Sequence, residues 1–127
     1  MVYVYAVQHN KTKKMYIGTT KDVRKRYEQH IMNLRSGIHK SDLMQKEFDE
    51  YGEDYSIYIL EEIKNAKERV DIHGFTRTKR LVTEVEWMKR YNTITNGYNA
   101  QDYVAVRMIE KDKNSFPLKE GLPEVTP

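Results

Sequence analysis

Apolar and polar positions alternate from the start of the chain, with Val2, Val4 and Ala6 on one side and Tyr3, Tyr5 and Val7 on the other. That is the two-residue repeat of a strand. The polar segment His9-Asn10-Lys11-Thr12-Lys13 separates it from a second short run, Lys14 to Thr19, so a hairpin would set Tyr5 and Tyr16 side by side. The repeat then lengthens to helical spacing at Val23, Tyr27, Ile31 and Leu34, with Thr20 or Asp22 as a cap and Gly37 as a breaker. This predicts a helix over about Asp22 to Leu34. Arg26 and His30, four residues apart, fall together beside its apolar stripe. Leu43, Met44, Glu47, Phe48 and Tyr51 predict a second helix, from a Ser41 or Asp42 cap to Gly52. Tyr55 to Leu60 predicts a third strand that Glu61-Glu62-Ile63 closes.

From Asn65 to Lys79 the periodicity fades. Gly74 and the run Thr76-Arg77-Thr78-Lys79-Arg80 read as a basic loop suited to phosphate contacts, or equally as a helix start with solvated cations. Leu81, Val85 and Met88 predict a last helix, over about Arg80 to Tyr91, and Glu84 falls within its apolar face while Glu86 points elsewhere. A carboxylate placed there is costly unless paired, by a metal ion or by a core arginine. Asn96-Gly97 then forms a turn that returns Tyr98-Asn99 to the sheet. The stretch from Val104 to Ile109 is expected to add a strand or pack on the core, and the remainder to be flexible. The expected fold is α/β (α+β), a small three-stranded antiparallel sheet flanked by three to four helices. A domain over residues 1–103 is followed by a short extension, 104–127.

Composition narrows the classes. At 127 residues and 39% hydrophobic content the chain suits one domain with a modest core. The absence of cysteine excludes a disulfide framework and a thiolate zinc site. No long apolar run is present, so the expectation is a protein without a membrane span or leader, acting in the cytoplasm. Net charge is only +3, but it is unevenly spread. Residues 1–48 hold ten Lys/Arg against four Asp/Glu, residues 49–103 eight against eleven, and residues 104–127 four of each. The positive half carries Tyr5, Tyr16, Arg26 and His30, which is where a polyanion would be drawn.

Tyr3-Val4-Tyr5, Tyr16-Ile17-Gly18, Arg26, His30, Glu84 three residues before Trp87, and Asn99 after Gly97-Tyr98 stand in an order that resembles the GIY-YIG nuclease family. The likeness is greatest to the catalytic domains of phage intron-encoded homing endonucleases and covers about residues 2 to 103. One departure is Tyr3, where the family usually has a glycine that carries no reacting group. The resemblance implies a metal-dependent DNA endonuclease that hydrolyses phosphodiester bonds, by nicking or double-strand cleavage. It implies Mg²⁺, with Mn²⁺ able to substitute, held by Glu84, and no organic cofactor. It also implies Tyr5 as general base with Tyr16 or His30 assisting, Arg26 facing the transition-state phosphate and Asn99 bracing the site. Lys21, His39, Arg77, Lys79 and Arg80 are candidate contacts to double-stranded DNA, His39 at the periphery and the last three outside the cut site. Targeting would come from a protein partner, a dimer or DNA shape. The rival readings are a catalytically inactive DNA-binding module of the same fold, and an RNA-directed or protein-interaction role for the basic face.

Overall fold

The computed structural model describes residues 1–72, 75–100, 102, 104–105 and 107–108. Strand β1 (Val2–His9) lies between β2 (Met15–Thr20) and β3 (Tyr55–Ile63), antiparallel to both. Because β1 is central, both of its faces are buried, and its alternation divides the core in two. Val2, Val4 and Ala6 join Met15, Ile17, Val82, Val85 and Met88 on one face. Tyr5 and Val7 join Tyr16, Ile31, Leu34 and Met44 on the other. Full burial of each such aliphatic side chain contributes about 1.5–3 kcal/mol.

Helices α1 (Val23–Arg35) and α2 (Asp42–Tyr51) cover the tyrosine face, and α3 (Lys79–Tyr91) covers the opposite face. Local chemistry sets their ends. The Asp22 carboxylate accepts from the Lys25 amide at the start of α1, and Ser41 Oγ accepts from the Met44 amide at the start of α2. Gly52 ends α2 at φ +84°, a left-handed conformation that L side chains resist. A short α4 (Thr93–Asn96) follows α3. Beneath the hairpin, the buried Glu47 carboxylate accepts from Thr12 Oγ1, Lys14 Nζ and the Tyr98 hydroxyl, tying α2 to the β1–β2 turn.

Two sequence expectations change. The segment expected to be a basic loop or a helix start contains a second antiparallel pair, β4 (Arg69–Ile72) and β5 (Phe75–Thr78), and its end is the start of α3, with Thr78 as cap and Lys79 and Arg80 in the first turn. Backbone bonds from the Lys79 amide to the Glu68 carbonyl and from the Arg80 amide to the Ala66 carbonyl fasten it there. Gly74 lies outside the described residues. After Asn99, the described residues Val104, Ala105, Arg107 and Met108 are helical instead of forming a strand, and Ala105 is buried in the core beside α3. The remainder of the expected 104–127 extension lies outside the described residues.

Candidate active site

Strand β2 is the edge of the three-stranded sheet, and the chemistry gathers around it. Gly18 stands directly across from Tyr5 in the β1–β2 register. Its backbone is extended within the strand, and its missing side chain leaves the space that the Tyr5 ring fills. Tyr5, only 1% exposed, ends with its hydroxyl 2.7 Å from His30 Nε2. His30 Nδ1 lies 2.7 Å from His39 Nε2, and the Ser41 amide donates to His39 Nδ1 at 3.0 Å. Tyr16 closes this cluster, with its ring centroid 6.5 Å from Tyr5, 4.6 Å from His30 and 5.8 Å from His39. Lys40 Nζ rests 5.5 Å from the Tyr16 ring centroid.

Burial decides the charge states. It holds His30 at about 3, with Arg26, His39 and Lys40 acting in the same direction. It holds His39 at about 4, again aided by Lys40 and Arg26. Both imidazoles are neutral at pH 7. Burial raises Tyr5 well above an ordinary phenol. Tyr16 and Glu84 add to this, while the Arg26 guanidinium opposes it both as a charge and as a hydrogen-bond donor. Tyr5 is therefore a phenol at rest, with the Arg26 guanidinium beside it favouring the phenolate. Arg26, half-buried on α1, also donates to Gln29 Oε1 at 3.1 Å.

On the far face of β2, Thr19 Oγ1 donates to Glu84 Oε2 at 2.8 Å and accepts from Arg80 Nε at 2.8 Å. Arg80 also donates to the Thr19 carbonyl, at 3.2 Å. Arg80 therefore reaches Glu84 through the Thr19 hydroxyl. Burial pushes the Glu84 carboxyl above the ordinary range. The Thr19 hydroxyl opposes this, Asp102 adds to it, and Arg80 and Lys40 oppose it. Asn99 sits on the open edge of β2, where its Oδ1 accepts from the Ile17 amide at 2.9 Å and its Nδ2 donates to the Ile17 carbonyl at 3.0 Å. One side chain thus supplies both hydrogen bonds that a further strand would have made there.

Tyr5, Tyr16, Arg26, His30, Glu84 and Asn99 come together around this edge, from β1, β2, α1, α3 and the segment after α4. Two other candidate positions differ from expectation. His39 is buried at the centre of the cluster instead of peripheral, because the loop into α2 folds it onto His30. Arg80 points inward to Thr19, so it is not an outlying DNA contact. Lys21 and Lys40 are exposed beside the site, while Arg77 and Lys79 lie half-buried on β5 and at the start of α3. Thr19 and Lys40 are site residues that the sequence did not single out. A cavity of about 310 Å³ opens beside Lys40, lined also by Tyr16, Ser41, Tyr98, Asn99 and Asp102.

Among the described residues no group of three or more His, Cys, Asp or Glu side chains is placed to enclose a metal ion. The donor set at the site is one half-buried carboxylate, Glu84, with Asp102 near enough to perturb it. Such a set fits a hard divalent cation that keeps most of its waters and takes phosphate oxygens from its substrate. It does not fit a closed structural site.

A small antiparallel sheet with helices on both faces, and a tyrosine, histidine, arginine and glutamate cluster at its edge, defines the catalytic-domain class. Residues 1–99 match the GIY-YIG catalytic domain, and the chain belongs to that family. It is 31% identical over 99 residues to intron-associated endonuclease 1 of Enterobacteria phage T4, a match covering 78% of this chain and 36% of that protein. It is 25% identical over 130 residues to a probable intron-encoded endonuclease 1 of Neurospora crassa, covering 91% of this chain and 40% of that protein. The chain thus spans well under half the length of either relative. Among solved structures it resembles the catalytic domain of the homing endonuclease I-TevI, with a TM-score of 0.65 at 28% identity over 77% of this chain and 96% of that one. A glutamate-to-alanine mutant of the same domain gives 0.67 at 30% identity, over 80% and 96%. No helix among the described residues is long and apolar enough to cross a membrane.

Proposed function

We propose that this chain is a divalent-metal-dependent endonuclease that hydrolyses phosphodiester bonds of double-stranded DNA, with its catalytic domain in residues 1–103 and a short extension after it. One observation carries the reading. Tyr5 lies within electrostatic reach of both Arg26 and Glu84, which come from helices on opposite faces of the sheet. The relatives' names as intron endonucleases support the same class.

In this reading Glu84 would hold Mg²⁺ or Mn²⁺, and the ion would supply positive charge at the scissile phosphate. Thr19 and Arg80 orient the Glu84 carboxylate. Arg26 faces the non-bridging oxygens, where charge gathers in the five-coordinate transition state, and its planar fork suits that task better than a lysine. Tyr5 takes the proton of the attacking water, which requires its phenolate. Arg26 is the resident group that favours that form. Tyr16 walls the pocket, and Asn99 keeps the β2 edge closed against another strand. Lys21, Arg77 and Lys79 meet phosphates away from the cut. Targeting comes from DNA shape, a second copy or a partner, and the reaction takes place in the cytoplasm.

The test is incubation of supercoiled plasmid with the purified chain and Mg²⁺ or Mn²⁺. Open circles or linear product are expected, and chelation should abolish them. Arg26→Ala and Glu84→Ala should each abolish cleavage and keep most DNA affinity. DNA binding without cleavage by the unaltered chain, with either ion, would replace this reading with that of an inactive binding module.

A further inference from the structure

The four groups Ser41, His39, His30 and Tyr5 form an unbroken file of hydrogen bonds of 3.0, 2.7 and 2.7 Å. Its first member fixes the direction of all the rest. A backbone amide nitrogen can only donate, so His39 Nδ1 must accept and carry no proton. His39 is then a neutral ring with its proton on Nε2, and that N–H donates to His30 Nδ1. His30 in turn carries its proton on Nε2, which leaves it only the donor role toward the Tyr5 oxygen.

We infer that His39 is a positioning residue, which locks His30 as a hydrogen-bond donor to Tyr5 and so excludes His30 as the acceptor of the Tyr5 proton. The inference deepens the endonuclease reading and rests on it for its catalytic meaning. A donor aimed at the Tyr5 oxygen favours the phenolate over the phenol. The Tyr5 proton is left pointing away from the histidines, so on ionisation it leaves on that side and not along the buried file.

The surroundings hold this polarity in place. The His39 amide donates to Gln45 Oε1 at 3.1 Å, and Gln45 Nε2 donates to the Leu34 carbonyl at 3.0 Å, so α1 and α2 clamp the loop that bears His39. Ser41 is itself fixed as the cap of α2. The His30 and His39 rings are joined edge to edge, within 24° of coplanar and with centroids 5.0 Å apart, and the Tyr16 ring packs edge-on against both. Neither imidazole has room to turn over without losing a bond made on each side. Arg26 and Lys40, the cations that face the pair, also disfavour a second proton on either ring.

The experiment pairs a spectroscopic readout on the DNA-free protein with cleavage kinetics. Two-dimensional long-range ¹H–¹⁵N spectra of the whole chain report which imidazole nitrogen carries the proton. Both His30 and His39 are expected as Nε2–H tautomers. A His30 ring protonated on Nδ1 overturns the inference, whatever the protein does to DNA. His39→Gln retains an amide N–H near the position of the histidine Nε2–H. It should keep the His30 tautomer and a kcat within a few-fold of the unaltered chain. His39→Leu removes the donor and should release His30 to the Nδ1–H form, with kcat lowered at least tenfold and KM for DNA unchanged. Should His39→Leu keep both the His30 tautomer and the kcat, the lock does not exist. If the unaltered chain cuts no DNA, the endonuclease reading fails while the spectra still decide the polarity.

Discussion

A methyl group built on Gly18 would come within 2.6 Å of the Tyr5 hydroxyl oxygen, closer than a real Cβ contact allows. The two residues are direct partners across β1 and β2, so the ring has no other lane. Gly18→Ala must therefore displace the hydroxyl from His30, since Tyr5 is otherwise enclosed. A shift of about 1 Å in a reacting group costs about a hundredfold in rate, while overpacking of this kind costs about 1–3 kcal/mol of stability. The expected outcome is a folded variant with about a hundredfold slower plasmid cleavage and unchanged DNA affinity. Circular dichroism, a nicking time course and a binding titration would check the three parts.

Thr19 connects Glu84 to Arg80, and that connection has a measurable sign. Its hydroxyl bond draws the Glu84 pKa down against the upward push of burial. Thr19→Val keeps the shape of the side chain and removes the bond, so the carboxyl becomes harder to ionise. The acidic limb of the cleavage profile should then move to higher pH, and stability should fall by about 1–3 kcal/mol because a buried acceptor and the Arg80 Nε lose their partner. Rates measured from pH 5 to 9 at saturating Mg²⁺ would show the movement. A profile that only drops in height would limit Thr19 to a structural part.

These two residues mark where the sequence was legible. The alternation of β1, the stripe of α1 and the caps of α1 and α2 depend on neighbours a few positions away, and the observed elements follow the expected ones within a residue or two. The motif positions could be gathered because their order along the chain resembles a known family. Thr19 and Arg80 could not, since their contact spans 61 positions and neither residue type is unusual in its place. The role of Gly18 needed the strand register, which sets it as an extended residue beneath an aromatic ring. The β4–β5 pair went unseen because its strands are four residues each and mostly polar, and its connection to α3 is by backbone bonds that leave no sequence signal. His39 carried one faint sign, a histidine two residues before a helix cap, the spacing that lets its ring accept from the cap amide.

The buried histidines make stability depend on pH. In the unfolded chain each binds a proton near pH 6.5, and in the folded chain only near 3 for His30 and 4 for His39. Between those values the unfolded state holds more protons, so stability is complete above about pH 6.5 and declines as pH falls toward the folded values. Each ring adds at most about 1.4 kcal/mol per pH unit to that slope. Denaturant unfolding at intervals from pH 7.5 to 4.5 should give a falling midpoint. His39→Gln, which titrates nowhere in this range, should make the decline shallower by up to the contribution of one ring.

The paired strands β4 and β5 bring Arg77 beside the start of α3, where Lys79 follows, while the next basic residue, Arg80, turns into the protein to reach Thr19. Three consecutive cationic positions thus divide into two kinds. Phosphate contacts release counterions, so removing one lowers the dependence of log binding constant on log salt by about one unit and weakens all sequences alike. Arg77→Ala with Lys79→Ala should therefore flatten the salt slope by about one to two units and leave the rate at saturating DNA almost unchanged. Arg80→Ala should do the reverse, with the slope retained and cleavage lost through Glu84. If all three substitutions flattened the slope equally, the guanidinium of Arg80 would have to leave Thr19 when DNA binds, and its part in orienting Glu84 would be refuted.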